Sequence, residues 1–82
     1  MMIKLSEKER KAVKEALEYI GYFDVAESPE MLQEWFDDGT IGIGTGRSGR
    51  DAVWIITESH ESAVYIDTLE HLSQEEITKE FL

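Results

Sequence analysis

Ala52-Val53-Trp54-Ile55-Ile56-Thr57-Glu58-Ser59-His60-Glu61-Ser62-Ala63-Val64-Tyr65-Ile66 holds two runs rich in β-branched and aromatic residues, parted by a polar break. Such runs read as strands, because branched and aromatic side chains fit a pleated, half-buried surface. The break Glu58-Ser59-His60-Glu61 suits a tight hairpin. In the simplest register Ile56 faces Ala63, Ile55 faces Val64, Trp54 faces Tyr65 and Val53 faces Ile66. Alternation then gives one aliphatic face of Val53, Ile55, Val64 and Ile66, and a second face carrying Trp54, Ile56, Ala63 and Tyr65. Upstream, Thr40-Ile41-Gly42-Ile43-Gly44 alternates with the same period and supplies a third strand.

Helices flank this sheet. Ser6-Glu7-Lys8-Glu9 is a capping box, in which the Ser6 hydroxyl takes an orphan N–H and Glu9 reaches back. Ala12, Val13, Ala16, Leu17 and Ile20 follow on one side, and Gly21 offers a left-handed stop, so a helix is expected over about 6–20. Ser28-Pro29 opens a second helix, with Ser28 as cap and proline in the first turn. On it Met31, Leu32, Trp35 and Phe36 share one arc, while Glu30, Gln33, Glu34, Asp37 and Asp38 share the opposite one. Gly39 ends it. The link Tyr22-Phe23-Asp24-Val25 is too apolar for a free loop and is expected to tuck into the core. Ser73 and Glu76 repeat the capping box, with Leu72 and Ile77 as a hydrophobic staple, and predict a last helix over about 73–82. The order α-α-β-β-β-α describes a small α+β domain, an antiparallel three-stranded meander packed by helices, in residues 1–82 as one unit.

Composition narrows the function classes. The 82 residues carry 8 Lys+Arg against 18 Asp+Glu, a formal net charge of −10, with 41% apolar residues and no cysteine. The apolar share is that of a globular chain. The absence of cysteine excludes disulfides and thiol catalysis. No apolar run approaches the ~20 residues of a membrane span. The start, Met1-Met2-Ile3-Lys4-Leu5-Ser6-Glu7, has no signal-peptide core, so a cytoplasmic location is expected. A surface this negative repels phosphate backbones and anionic lipid, which argues against direct nucleic-acid or membrane binding.

The charge is also segregated. Residues 1–14 hold five bases and two acids, residues 15–46 hold eight acids and no base, Arg47 and Arg50 follow together, and residues 51–82 hold eight acids against Lys79. Such asymmetry marks an electrostatic interaction surface, although acids solvating an amphipathic helix give the same pattern.

Chemical constellations are sparse. Gly44-Thr45-Gly46-Arg47-Ser48-Gly49 matches G-x-G-x-x-G letter by letter. A dinucleotide loop, however, needs a helix after it to present its N-terminus to the phosphates, and here a strand follows. A Walker loop needs Lys-Ser/Thr after Gly49, where Arg50-Asp51 stands. The segment reads as a hairpin turn whose bases, Arg47 and Arg50, face a partner carboxylate or offset Asp51. His60 and His71 sit in a turn and near a helix start, with no third ligand converging on either, so no metal and no cofactor is expected. No Ser, Thr or carboxylate pair stands in a catalytic arrangement, so an enzyme is not expected.

Two features point to binding. Glu30, Glu34, Asp37 and Asp38 form a stripe about 12 Å long at 1.5 Å per residue, comparable to the charge spacing of duplex DNA. Trp54 and Tyr65, rimmed by Glu58 and Glu61, would anchor a partner if their sheet face stayed open, or would be core if the last helix covered it. The expectation is an acidic module that occupies a basic site on a nuclease or other nucleic-acid-acting protein and inhibits it. In charge and size it is similar to DNA-mimicking phage inhibitors of restriction or CRISPR nucleases and to immunity proteins, with no motif tying it to one family. The alternatives are an adaptor that self-associates through its sheet as a homodimer, and a small-ligand binder using residues 44–50.

Overall fold

A computed structural model describes residues 4–82; the opening Met1-Met2-Ile3, which entered the reading of targeting, lies outside them. The chain runs α1 (Glu7–Tyr19), α2 (Phe23–Glu27), α3 (Pro29–Asp37), β1 (Ile41–Thr45), β2 (Asp51–Ile56), β3 (Glu61–Tyr65) and α4 (Gln74–Phe81). The expected α+β meander is present, its strands in the order β1-β2-β3 and all antiparallel.

The local signals act as their chemistry requires. Ser6 and Ser73 each accept a hydrogen bond from the backbone N–H three residues on, while the Glu9 and Glu76 carboxylates accept one from the cap N–H. Ser28 caps α3 by accepting from the Met31 N–H. Gly21 and Gly39 stand at positive φ where helices stop. The link at 22–25 is the one helical surprise. It coils into the five-residue α2, with Val25 buried and Phe23 turned to solvent at 58% exposure.

The sheet has two covered faces. Ile41, Val53, Ile55 and Val64 pack with Ala12, Val13, Ala16 and Leu17 of α1 and with Val25. On the opposite face Ala52, Ala63 and Tyr65 pack with Leu72 and Ile77, flanked by Trp54 and Phe81. Helices α1 to α3 therefore lie on one side and α4 on the other.

The hairpin register differs from the simplest one by two residues. Trp54 pairs with Ala63, Val53 with Val64 and Ala52 with Tyr65. The turn explains the difference. The Thr57 hydroxyl accepts the His60 N–H at 2.9 Å, and the Thr57 N–H donates to the His60 carbonyl at 2.8 Å, so the chain closes around Glu58-Ser59. A shift of two leaves every side chain on its original face, which is why both faces still read correctly.

Beyond β3 the chain doubles back. The Tyr65 N–H donates to the Glu70 carbonyl, the Leu72 N–H to the Ala63 carbonyl, and Val64 bridges His71. These contacts cover the outer edge of β3. Leu69 takes a left-handed conformation, φ 60, within this return. Among the described residues no helix is long and apolar enough to cross a membrane.

Candidate partner-binding surface

Helix α3 presents its acids as the spacing requires. Glu30, Glu34, Asp37 and Asp38 are all exposed, while Leu32, Trp35 and Phe36 pack inward against the main core. Two of the four are held in place by neutral donors. The Asp37 carboxylate accepts from Gln33 Nε2 at 2.8 Å, and Asp38 accepts the Thr40 N–H at 2.9 Å. Those bonds to Thr40 keep the Asp38 carboxyl below the usual range, so it stays ionised. Ion pairs among the described residues join Lys11 to Glu7 and Arg50 to Asp67, His71 lies beside Glu15, and none of these contacts reaches the α3 stripe. Among the described residues the stripe is therefore a line of charge that no cationic side chain neutralises.

The acids expected beside it divide. Glu58 is exposed on the β2–β3 turn. Glu61 is half-buried, and its carboxylate accepts from Gln74 Nε2 at the start of α4.

Trp54 and Tyr65 are not an open aromatic patch. Helix α4 covers that sheet face, leaving Tyr65 7% exposed and setting Phe81 against Trp54 with ring centroids 4.6 Å apart. Burial, followed by the nearby charge of Glu80, raises the Tyr65 hydroxyl pKa above its ordinary value. The cause is economy of apolar surface: Ile77, Leu72 and Phe81 have no other sheet face to pack on.

Arg50 is likewise committed inside the molecule. Its guanidinium lies 3.6 Å over the Tyr65 ring and donates to Asp67 at 3.1 Å and to the Thr68 hydroxyl at 3.3 Å. The hydrogen bond to Asp67 leads the factors that raise its pKa. It pins the return loop instead of reaching outward. Arg47 is exposed and, among the described residues, has no hydrogen bond or ion pair.

The glycine-rich loop already holds an anion, and that anion belongs to the protein. Both the N–H and the hydroxyl of Ser48 donate to the Glu80 carboxylate of α4, at 3.2 and 2.8 Å. The Glu80 side chain lies on Gly46, which has no Cβ to obstruct it. With β1 before the loop and β2 after it, no helix N-terminus faces this site.

The histidines are apart. His60 shares a hydrogen bond with Ser59 through Nδ1, while His71 contacts Glu15 at 3.6 Å and stacks on Tyr19. Among the described residues no three His, Asp or Glu side chains converge as metal ligands would.

Sequence reasoning missed one feature. Tyr22 and Trp35 meet edge to face, centroids 5.1 Å apart and planes at 73°, beside an open cleft of about 710 Å3. Trp35 reads in sequence as one member of an apolar arc, and Tyr22 as part of a link. Only the fold brings them together next to Glu58. A second groove, of about 470 Å3, runs between α1 and the α2–α3 corner, with Arg10, Lys11 and Lys14 on its rim.

No protein-family model, curated protein or solved structure matches this chain. Its functional reading stands on its own geometry.

Proposed function

We propose that this chain is a small acidic binding module, not an enzyme, which acts in the cytoplasm by occupying a basic site on a nuclease or other nucleic-acid-acting protein. Occupation excludes the nucleic acid sterically and by charge. The single observation behind the reading is the α3 stripe: four exposed carboxylates on one helix face with no ion pair among the described residues. A basic cleft shaped for phosphates meets there a row of anions on a rigid support, and the long-range field speeds encounter. The net charge of −10 reinforces that field.

The test is inhibition of DNA cleavage by a panel of restriction and RNA-guided nucleases, measured at rising salt. Inhibition that weakens steeply with salt supports charge mimicry. The variant carrying Glu30→Gln, Glu34→Gln, Asp37→Asn and Asp38→Asn is expected to lose affinity about tenfold through slower association. Equal potency of the variant and the native chain would remove α3 from the interface.

A further inference from the structure

Three rings gather where α2, α3 and the β2–β3 turn meet. Trp35 stands edge to face with Tyr22, and His60 meets Tyr22 from the turn, centroids 6.1 Å apart and planes at 90°. The adjoining cleft is lined by Tyr22, Trp35, Ile56 and Thr40, and Glu58 of the turn stands at its margin. The Thr40 N–H in the wall donates to the Asp38 carboxylate, so the aromatic wall meets the anionic stripe at its Asp38 end.

An aromatic wall with an anionic rim selects for one kind of occupant. Anions are repelled, and a neutral apolar group gains nothing from the carboxylate. A cation gains from the ring faces and from the acid together. Among cationic side chains, the guanidinium is planar and weakly hydrated, so it stacks on a ring while its fork reaches a carboxylate, whereas an ammonium gives up more hydration. The protein performs this recognition internally: Arg50 lies over Tyr65, with a carboxylate, Asp67, and a threonine hydroxyl, Thr68, completing its contacts. The cleft presents the same three elements, an aromatic ring, the Glu58 carboxylate and threonine side chains, without a guanidinium of its own.

We propose that this cleft receives an arginine side chain projected by the basic partner, with the guanidinium against the Tyr22–Trp35 wall and Glu58 as its counter-charge. The inference rests on the acidic-module reading and deepens it by naming the anchor. The α3 stripe provides the field, and the cleft provides the fixed point of docking.

Calorimetric titration of the full chain with hexa-arginine and hexa-lysine peptides, followed also through the Trp35 indole N–H signal in NMR, tests it. Hexa-arginine is expected to bind about three- to fivefold more tightly than hexa-lysine and to shift the Trp35 signal, on the scale of exposed cation–π contacts. Glu58→Gln changes an exposed turn residue without touching the core. It is expected to weaken hexa-arginine and erase the preference. Glu30→Gln with Glu34→Gln is expected to weaken both peptides equally and keep the preference. If both peptides bind alike, Trp35 stays silent and Glu58→Gln has no effect while the α3 variant weakens binding, the cleft is overturned and the acidic-module reading survives. If neither peptide binds at low salt, both fall.

Discussion

The indole of Trp54 lies against the backbone of Gly42 on the neighbouring strand, in the space a side chain there would fill. A Cβ at position 42 would fall on indole atoms Cε2, Cζ2 and Nε1, whereas one at Gly44 would meet the ring at 3.3 Å. The two glycines give β1 a bare surface on which the ring rests, and Phe81 of α4 closes over it. Gly42 does not stand at positive φ, so its requirement is steric, not conformational. Gly42→Ala is expected to destabilise the fold by about 1–3 kcal/mol, the usual cost of overpacking. Gly44→Ala is expected to cost less. Urea midpoints of the two variants measure this, and equal, small losses would show that the indole is free to move aside.

Ser62 poses the opposite case. It is 3% exposed on the α1-facing side of β3, and among the described residues its hydroxyl has no hydrogen-bond partner. A buried hydroxyl without a partner costs stability that an apolar group of similar size does not. Ser62→Ala is therefore expected to raise stability by about 1 kcal/mol. A loss of that size in thermal or urea unfolding would mean that the hydroxyl makes a bond the fold relies on.

These contrasts mark where sequence ceases to inform. The capping boxes at Ser6 and Ser73 and the Ser28-Pro29 start depend on contacts three residues apart, so they are legible in the chain and stand where expected. Strand faces are legible because alternation survives a register shift of two. The register itself turns on whether a two-residue loop closes at Glu58-Ser59 or one position later, a choice made by the Thr57 hydroxyl and not by any run of residue types. Whether Trp54 and Tyr65 are open or covered depends on the path from β3 to α4. That path passes through a left-handed Leu69 and is pinned by Arg50, a non-local arrangement with no local signature. The Tyr22–Trp35 cleft is equally non-local, since each residue taken alone reads as core.

Glu80 joins α4 to the β1–β2 loop through the N–H and hydroxyl of Ser48. Glu80→Gln weakens two charge-assisted bonds at a half-buried position, and the expected cost is about 1 kcal/mol. Because opening there is local, hydrogen exchange at the Ser48 amide is expected to accelerate about fivefold while the sheet core keeps its protection. Inorganic phosphate is expected to leave the loop amides of the native chain unshifted, because a carboxylate already lies in their path. A phosphate-induced shift at Ser48 in the native chain would revive the loop as an anion site.

Acid stability provides the last test, and its sign follows from the pKa directions. The hydrogen bond from Arg50 holds the Asp67 carboxyl below the usual carboxylate range, and the Ser73 cap does the same for Glu76. Each group binds its proton more tightly in the unfolded chain than in the folded one. Their contributions are therefore complete above the ordinary carboxylate range and are lost as pH falls through the lower folded values. Self-repulsion from the net charge of −10 acts oppositely, since early protonation relieves it. Stability is expected to hold or rise slightly from neutrality toward mildly acidic pH, and then to fall below the carboxylate range. Asp67→Asn cannot titrate and leaves Arg50 with a weaker partner over Tyr65. Its unfolding midpoint should lie below the native one at neutral pH, and the gap should narrow as pH falls. A gap that stays constant down the acid limb would show that the Arg50–Asp67 contact is not what lowers the Asp67 pKa.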